Sequence, residues 1–185
     1  ELDVKRTLII THRPVVGESW LKAFKQVVGS KSSEPKVKGN SDIHKTYGFG
    51  MRSDDESETV GNYYDLESFV ETPGNHYAFF VSMQYIRLSE LVNSKTQAKN
   101  ASKELGNGNS TSKENEMLKA DILKTDWDLI IIDEAHEGTL TSLGKGVIQD
   151  FLKKEKTKML YLSGTPFNLY EDFKEDEIYT WDYIA

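Results

Sequence analysis

The stretch Leu129-Ile130-Ile131-Ile132-Asp133-Glu134-Ala135-His136 decides how the rest of the chain is read. Its four apolar residues, bracketed by Asp128 and Asp133, read as a strand buried on both faces. Three similar runs are Thr7-Leu8-Ile9-Ile10, Ala78-Phe79-Phe80-Val81 and Met159-Leu160-Tyr161-Leu162. Amphipathic segments lie between them. Trp20, Leu21, Phe24, Val27 and Val28 recur at helical spacing until Gly29 stops the run. Met117, Leu118, Ile122 and Leu123 mark a helix ending near Thr125, and Leu140, Leu143, Val147, Ile148, Phe151 and Leu152 mark another. Strands alternating with helices predict right-handed crossovers and a layered α/β domain with a mainly parallel sheet.

Two stretches interrupt the alternation. Ser30 to Asn62 is rich in Ser, Gly, Lys and Asp, with room for one short strand around Lys45 to Phe49. Asn93 to Glu116, with Gly106-Asn107-Gly108-Asn109, reads as an exposed loop.

The totals fit one domain. The chain has 185 residues, enough for one sizeable core. No apolar run approaches the roughly 20 residues of a membrane span, so a membrane partner is not expected. With no cysteine there can be no disulfide, thiolate zinc site or Cys nucleophile, and a reducing cytoplasm suits the composition. The acidic opening Glu1-Leu2-Asp3 is not a signal peptide, and without an initiator Met the chain is expected to begin inside a longer protein. Net charge is −7, which argues against strong nucleic-acid binding by this piece alone.

Chemistry gathers at the carboxyl ends of strands in open α/β sheets, where Asp133 and Glu134 fall. Mg²⁺ takes one or two carboxylates plus waters and substrate phosphates. Asp133 is therefore placed to hold the Mg²⁺ shell and Glu134 to polarise an attacking water, a division suited to phosphoryl transfer. On the pair alone, capping of the next helix is as good a reading. A zinc hydrolase is excluded because His136 has no second His three or four residues away.

The whole string resembles motif II, the Walker B element of DEAH-type superfamily 2 helicases. Ser163-Gly164-Thr165-Pro166, following the fourth run, resembles motif III of the same superfamily. Thr11-His12-Arg13-Pro14 is similar to motif Ia, and Val81-Ser82-Met83-Gln84-Tyr85 occupies the place of motifs Ib and Ic. The resemblance runs from about Arg6 to Phe167. It implies a RecA-like three-layer domain and an ATP site using Asp133, Glu134 and His136, with ATP and Mg²⁺ as ligands. His136 would link that site to motif III, where the hydroxyls of Ser163 and Thr165 would bond to motif II and couple nucleotide state to DNA contact. Thr11, Arg13, Ser82 and Gln84 would touch the DNA backbone.

Ile132 to Thr139, Leu162 to Asn168 and the tail Asp176-Glu177-Ile178-Tyr179-Thr180-Trp181 look closest to the motor subunits of type I and type III restriction enzymes. That branch implies movement on duplex DNA, a second motor domain and a nuclease domain in the same polypeptide, and modification or specificity subunits as partners. An RNA or DNA-repair helicase, and a non-catalytic module derived from the fold, are the alternatives. No Gly-x-x-x-x-Gly-Lys-Ser/Thr loop occurs; Gly144-Lys145-Gly146 lacks the first glycine and the hydroxyl. Residues 1–185 thus read as motifs Ia to III of a first motor domain, with the phosphate loop upstream and the isolated piece inactive. Without the phosphate-loop strand the sheet would be incomplete and the Met159–Leu162 strand would present an unpaired edge, inviting association.

Overall fold

The computed structural model describes residues 4–28, 36–38, 46–51, 61–86, 110–138, 148–149, 151 and 154–180. Its strands are β1 (Arg6–Thr11), β2 (Lys36–Lys38), β3 (Thr46–Met51), β4 (Asn75–Ser82), β5 (Leu129–Asp133) and β6 (Lys158–Tyr161). The helices are α1 (Gly17–Val28), α2 (Tyr63–Val70), α3 (Ser110–Lys124) and the single turn α4 (Ala135–Gly138). They build one sheet in the order β2-β3-β4-β1-β5-β6, with every pairing parallel except that of β2 with β3.

Each expected strand is present, β6 one residue earlier than its apolar run suggests and β4 three residues longer at its start. The alternation of side chains along a strand sorts the core into two layers. Leu8, Ile10, Phe79, Val81, Ile130 and Ile132 face one side and pack with Tyr63, Leu66, Ile122 and Trp127. Ile9, Phe49, Ala78 and Phe80 face the other and are covered by Trp20, Leu21 and Phe24 of α1. Helices on both faces of a parallel sheet give the three layers expected.

Three features differ from the sequence reading. The strand β2 and the helix α2 were not anticipated. Asn62 caps α2 by accepting the Asp65 N–H at 2.9 Å, and Tyr63, Leu66 and Val70 supply the buried stripe. Further along, α3 begins at Ser110, inside the expected loop over Asn93 to Glu116. Lys113, Glu114 and Glu116 are good helix formers, so the helix starts ahead of its first apolar residue, Met117. Residues 87–109, and most of the expected apolar stripe over 140–152, lie outside the described residues, although Ile148 and Phe151 of that stripe are buried.

The amino ends of the strands are tied by polar groups. Asp128 accepts the backbone N–H groups of Lys5 and Arg6, each at 2.9 Å. Glu67 of α2 accepts from Arg6 Nε at 3.0 Å and from the Tyr77 hydroxyl, joining α2 to β1 and β4. Burial and that carboxylate push the Tyr77 hydroxyl pKa far above the ordinary tyrosine range. At the other side of the sheet β6 is the outer strand, and no described strand pairs with its free edge.

Gly50 sets how closely α2 approaches β3. A Cβ there would meet the Gly61 carbonyl oxygen and Leu66 Cδ1, both at 2.4 Å. Gly164, by contrast, has nothing within 4 Å of such a Cβ. Gly50→Ala should lower stability by about 1–3 kcal/mol, and Gly164→Ala should leave it within about 0.5 kcal/mol. Urea unfolding of the chain followed by circular dichroism checks the pair, and equal midpoints would show that α2 does not rest on Gly50.

Candidate functional site

Register levels one rim of the sheet. Thr11 of β1 sits opposite Ser82 of β4 and opposite Asp133 of β5, so three strands end together. The motif Ia, Ib and II segments are thereby brought side by side from distant parts of the sequence. Beyond Ile132 the link between β5 and β6 continues: Leu162 N–H donates to Ile132 O at 2.9 Å, and Ala135 N–H to Leu162 O at 2.9 Å. The loops that follow these two strands are therefore joined by backbone as well as by side chains.

Between those bonds the chain turns sharply. Glu134 has φ of 52°, the left-handed region that a residue with a Cβ occupies at a cost of roughly 1–2 kcal/mol. It is the only non-glycine residue with positive φ among the described residues. Strain of this kind collects where a side chain must be aimed, and here it falls on the expected water-polarising acid. Fully buried Ala135 anchors the turn from behind.

Asp133 is held at both oxygens. Its Oδ1 accepts the Glu134 N–H at 3.0 Å, and its Oδ2 accepts the Trp20 indole N–H at 2.9 Å. Each oxygen keeps a further lone pair. Among the described residues no group of three or more His, Cys, Asp or Glu could by itself hold a metal. A lone oriented carboxylate with spare lone pairs fits Mg²⁺, which keeps several waters and takes the rest of its shell from phosphates.

His136 connects the acid to the loop after β6. Its Nδ1 lies 2.8 Å from Ser163 Oγ and 3.5 Å from Glu134 Oε2. Ser163 Oγ also accepts the Thr165 N–H at 3.1 Å. Either atom can be the donor in this contact: the Ser163 hydroxyl in the tautomer protonated at Nε2, or Nδ1–H when the proton sits there. Thr165 enters this path through its backbone. Its side chain is exposed and its hydroxyl bonds to no motif II residue among those described. Of the two hydroxyls, that of Ser163 meets a motif II residue, whereas the Thr165 side chain is turned outwards.

The four residues expected to touch DNA divide in two. Arg13 is exposed beside the rim. Gln84 is also exposed and donates from Nε2 to the His12 carbonyl at 2.6 Å, bridging the ends of β1 and β4. Thr11 is 1% exposed, and its hydroxyl accepts the Arg13 N–H at 3.1 Å. The Thr11 hydroxyl is thus engaged in the turn that leads to Arg13. Ser82, partly buried, accepts the Tyr85 N–H at 3.2 Å and caps the helical residues 83–86.

Sequence reading also missed Trp20 as a site residue. Its spacing marks it as one member of an apolar stripe, and only the polar edge of its ring, an indole N–H that needs a partner when buried, hints at more.

Sheet order and the joined strand-end loops together define a layered α/β domain with a mainly parallel sheet, consistent with a RecA-like fold. Comparison with protein families supplies the branch. The family described as type III restriction enzyme, res subunit, matches residues 1–168, and the chain belongs to it. Members of that family are ATP hydrolases. No curated protein matches the chain. No described helix is long and apolar enough to cross a membrane.

The left-handed backbone at Glu134 makes a prediction about stability. Truncation to Ala keeps the strain and truncation to Gly removes it. Glu134→Gly should therefore unfold at higher urea than Glu134→Ala, by about 1 kcal/mol; equal stabilities would mean that the turn is not strained.

Proposed function

We propose that residues 1–185 are the motif Ia to motif III part of the first motor domain of an ATP-dependent DNA translocase, the restriction subunit of a restriction-modification system. The observation that carries this reading is the 2.8 Å contact between His136 Nδ1 and Ser163 Oγ, which joins the acid-bearing turn to the loop after β6. Family membership supports the ATP-hydrolysing part of the reading. The phosphate loop, the second motor domain and a nuclease domain belong to other parts of the polypeptide in this reading. Duplex DNA and modification or specificity subunits are its partners, and its setting is the cytoplasm.

Each residue then has one task. Glu134, aimed by its left-handed turn, takes the proton of the attacking water as its oxygen bonds to the terminal phosphorus and the bond from that phosphorus to the bridging oxygen breaks, releasing ADP. Asp133 holds a water of the Mg²⁺ shell. Bound with ATP, Mg²⁺ supplies neutralisation of the phosphoryl oxygens. His136 reports the position of the Glu134 turn to Ser163, and Thr165 follows through its N–H. Arg13 and Gln84 meet the phosphates of the bound duplex. Such contacts suit an acidic domain, because a few loop residues at one rim can track a backbone while the remaining surface repels it. Gln84 also keeps the two DNA-facing loops at a fixed spacing through its bond to His12 O.

The decisive measurement is ATP hydrolysis by the full-length protein with and without duplex DNA. Glu134→Gln should retain nucleotide binding while kcat falls by about 10²–10⁴-fold, since an amide cannot accept the proton. Ser163→Ala should spare basal hydrolysis and lose most of the DNA stimulation. Stimulation by RNA in place of DNA would move the protein to the helicases that act on RNA. A folded full-length protein without turnover under any nucleic acid would sink the reading and leave a non-catalytic module.

A further inference from the structure

Trp20 stands apart from every motif quoted above, yet it touches the motif II aspartate. The contact spans 113 positions of sequence, from the first turn of α1 to the end of β5, and its length is 2.9 Å. Its geometry rests on how α1 begins. A Cβ on Gly17 would lie 2.8 Å from Met51 Cε and 2.9 Å from Phe80 Cε1, so only glycine lets the helix start this close to the sheet. One turn later the ring of Trp20 lies against the layer formed by Ile9, Phe49, Ala78 and Phe80, with Ile131 of β5 also packed there. From that seat its N–H reaches Asp133 Oδ2.

Indole N–H is a donor only. It cannot ligate a metal or accept a proton, so it serves Asp133 by donating one directed bond, which orients the carboxylate and stabilises its charge. Together with the Glu134 N–H on Oδ1, it fixes the carboxylate at both oxygens and leaves one lone pair on each. A carboxylate held by one bond can still rotate about its own axis, whereas one held at both oxygens cannot. Groups that orient a metal-shell carboxylate in this way typically govern metal affinity by about 10–100-fold.

We propose that Trp20 is a positioning residue for Asp133, holding the carboxylate in the orientation that receives the Mg²⁺ shell. This rests on the motor reading given above. It also places a sensor on α1: a shift of that helix, whose preceding loop carries Arg13, would turn the Asp133 carboxylate. Trp20 thereby offers a second connection between the DNA-facing loop and the metal site, on the sheet face opposite α2 and independent of the His136–Ser163 contact.

The test uses the full-length protein and two probes, ADP alone and ADP with Mg²⁺, measured by calorimetry. Trp20→Phe keeps the aromatic packing and deletes the N–H. It should leave metal-free ADP affinity unchanged and weaken the Mg²⁺-dependent gain by roughly 10-fold. In the wild-type protein, the ¹H–¹⁵N signal of the Trp20 indole, assigned by its loss in Trp20→Phe, should move on addition of Mg²⁺ with ADP, and the signal of Trp127 should stay in place. Trp127 is an internal reference because its own indole N–H is bonded to Ile122 O at 2.8 Å, within the core. An unchanged Mg²⁺ gain in folded Trp20→Phe, or a wild-type Trp20 signal that ignores Mg²⁺ with ADP, overturns the positioning role and leaves the motor reading intact. Absence of any Mg²⁺-dependent ADP binding by the wild-type protein overturns both.

Discussion

Asp128 stands just before β5 and fixes the strands on either side of it. Its carboxylate accepts two consecutive N–H groups at the start of β1, and its own N–H donates to Arg6 O at 3.1 Å. Its carbonyl accepts the Lys158 N–H at 3.0 Å, where β6 begins. Hydrogen bonds to a charged group contribute about 1.5–3 kcal/mol each, enough to penalise a slipped pairing heavily. The consequence appears at the far end of the strands. A slip of one residue would exchange the two faces of β1, sending Leu8 and Ile10 where Ile9 belongs. It would also carry Thr11 out of line with Asp133 and Ser82. Polar pinning at the amino ends is thus what makes the carboxyl rim level.

From that rim the site is built by turns whose backbone groups are already engaged. The chain leaves β5 through a left-handed residue, and bonds from Leu162 to Ile132 and from Ala135 to Leu162 clamp both sides of the turn. Strain at Glu134 is affordable because those bonds and the buried Ala135 over-determine it. The same clamp makes the β5 and β6 loops a single mechanical unit. The His136–Ser163 contact joins the same two loops through side chains.

The sheet was legible because its strands are short apolar runs with polar ends, a signal that survives without any knowledge of neighbours. Motif positions were legible for the same reason, since each follows such a run. What escaped was information carried by pairs distant in sequence. Asp128 looks like a simple strand boundary until Lys5 and Arg6 are beside it. Trp20 looks like packing until Asp133 is within reach. Thr11 and Ser82 read as donors to a ligand, yet their hydroxyls serve the local backbone, the competing use that hydroxyl side chains commonly find. The helix α2 had its signals in place, an Asn cap and apolar residues three and seven apart, but it follows a long polar stretch and is only eight residues long.

Energetics limit how coupling can work in this domain. A single neutral hydrogen bond such as His136–Ser163 contributes about 0.5–1.5 kcal/mol net, and coupling between sites commonly requires about 1–3 kcal/mol. One side-chain contact therefore covers at most the lower part of that range. The backbone clamp between the β5 and β6 loops adds two further bonds across the same junction. The Trp20–Asp133 bond involves a charged acceptor and is of the stronger kind. It approaches the same turn from the opposite face of the sheet, through the helix that follows Arg13. Two contacts of unequal strength thus converge on the adjacent acids Asp133 and Glu134, so coupling through either would have to act at this one turn.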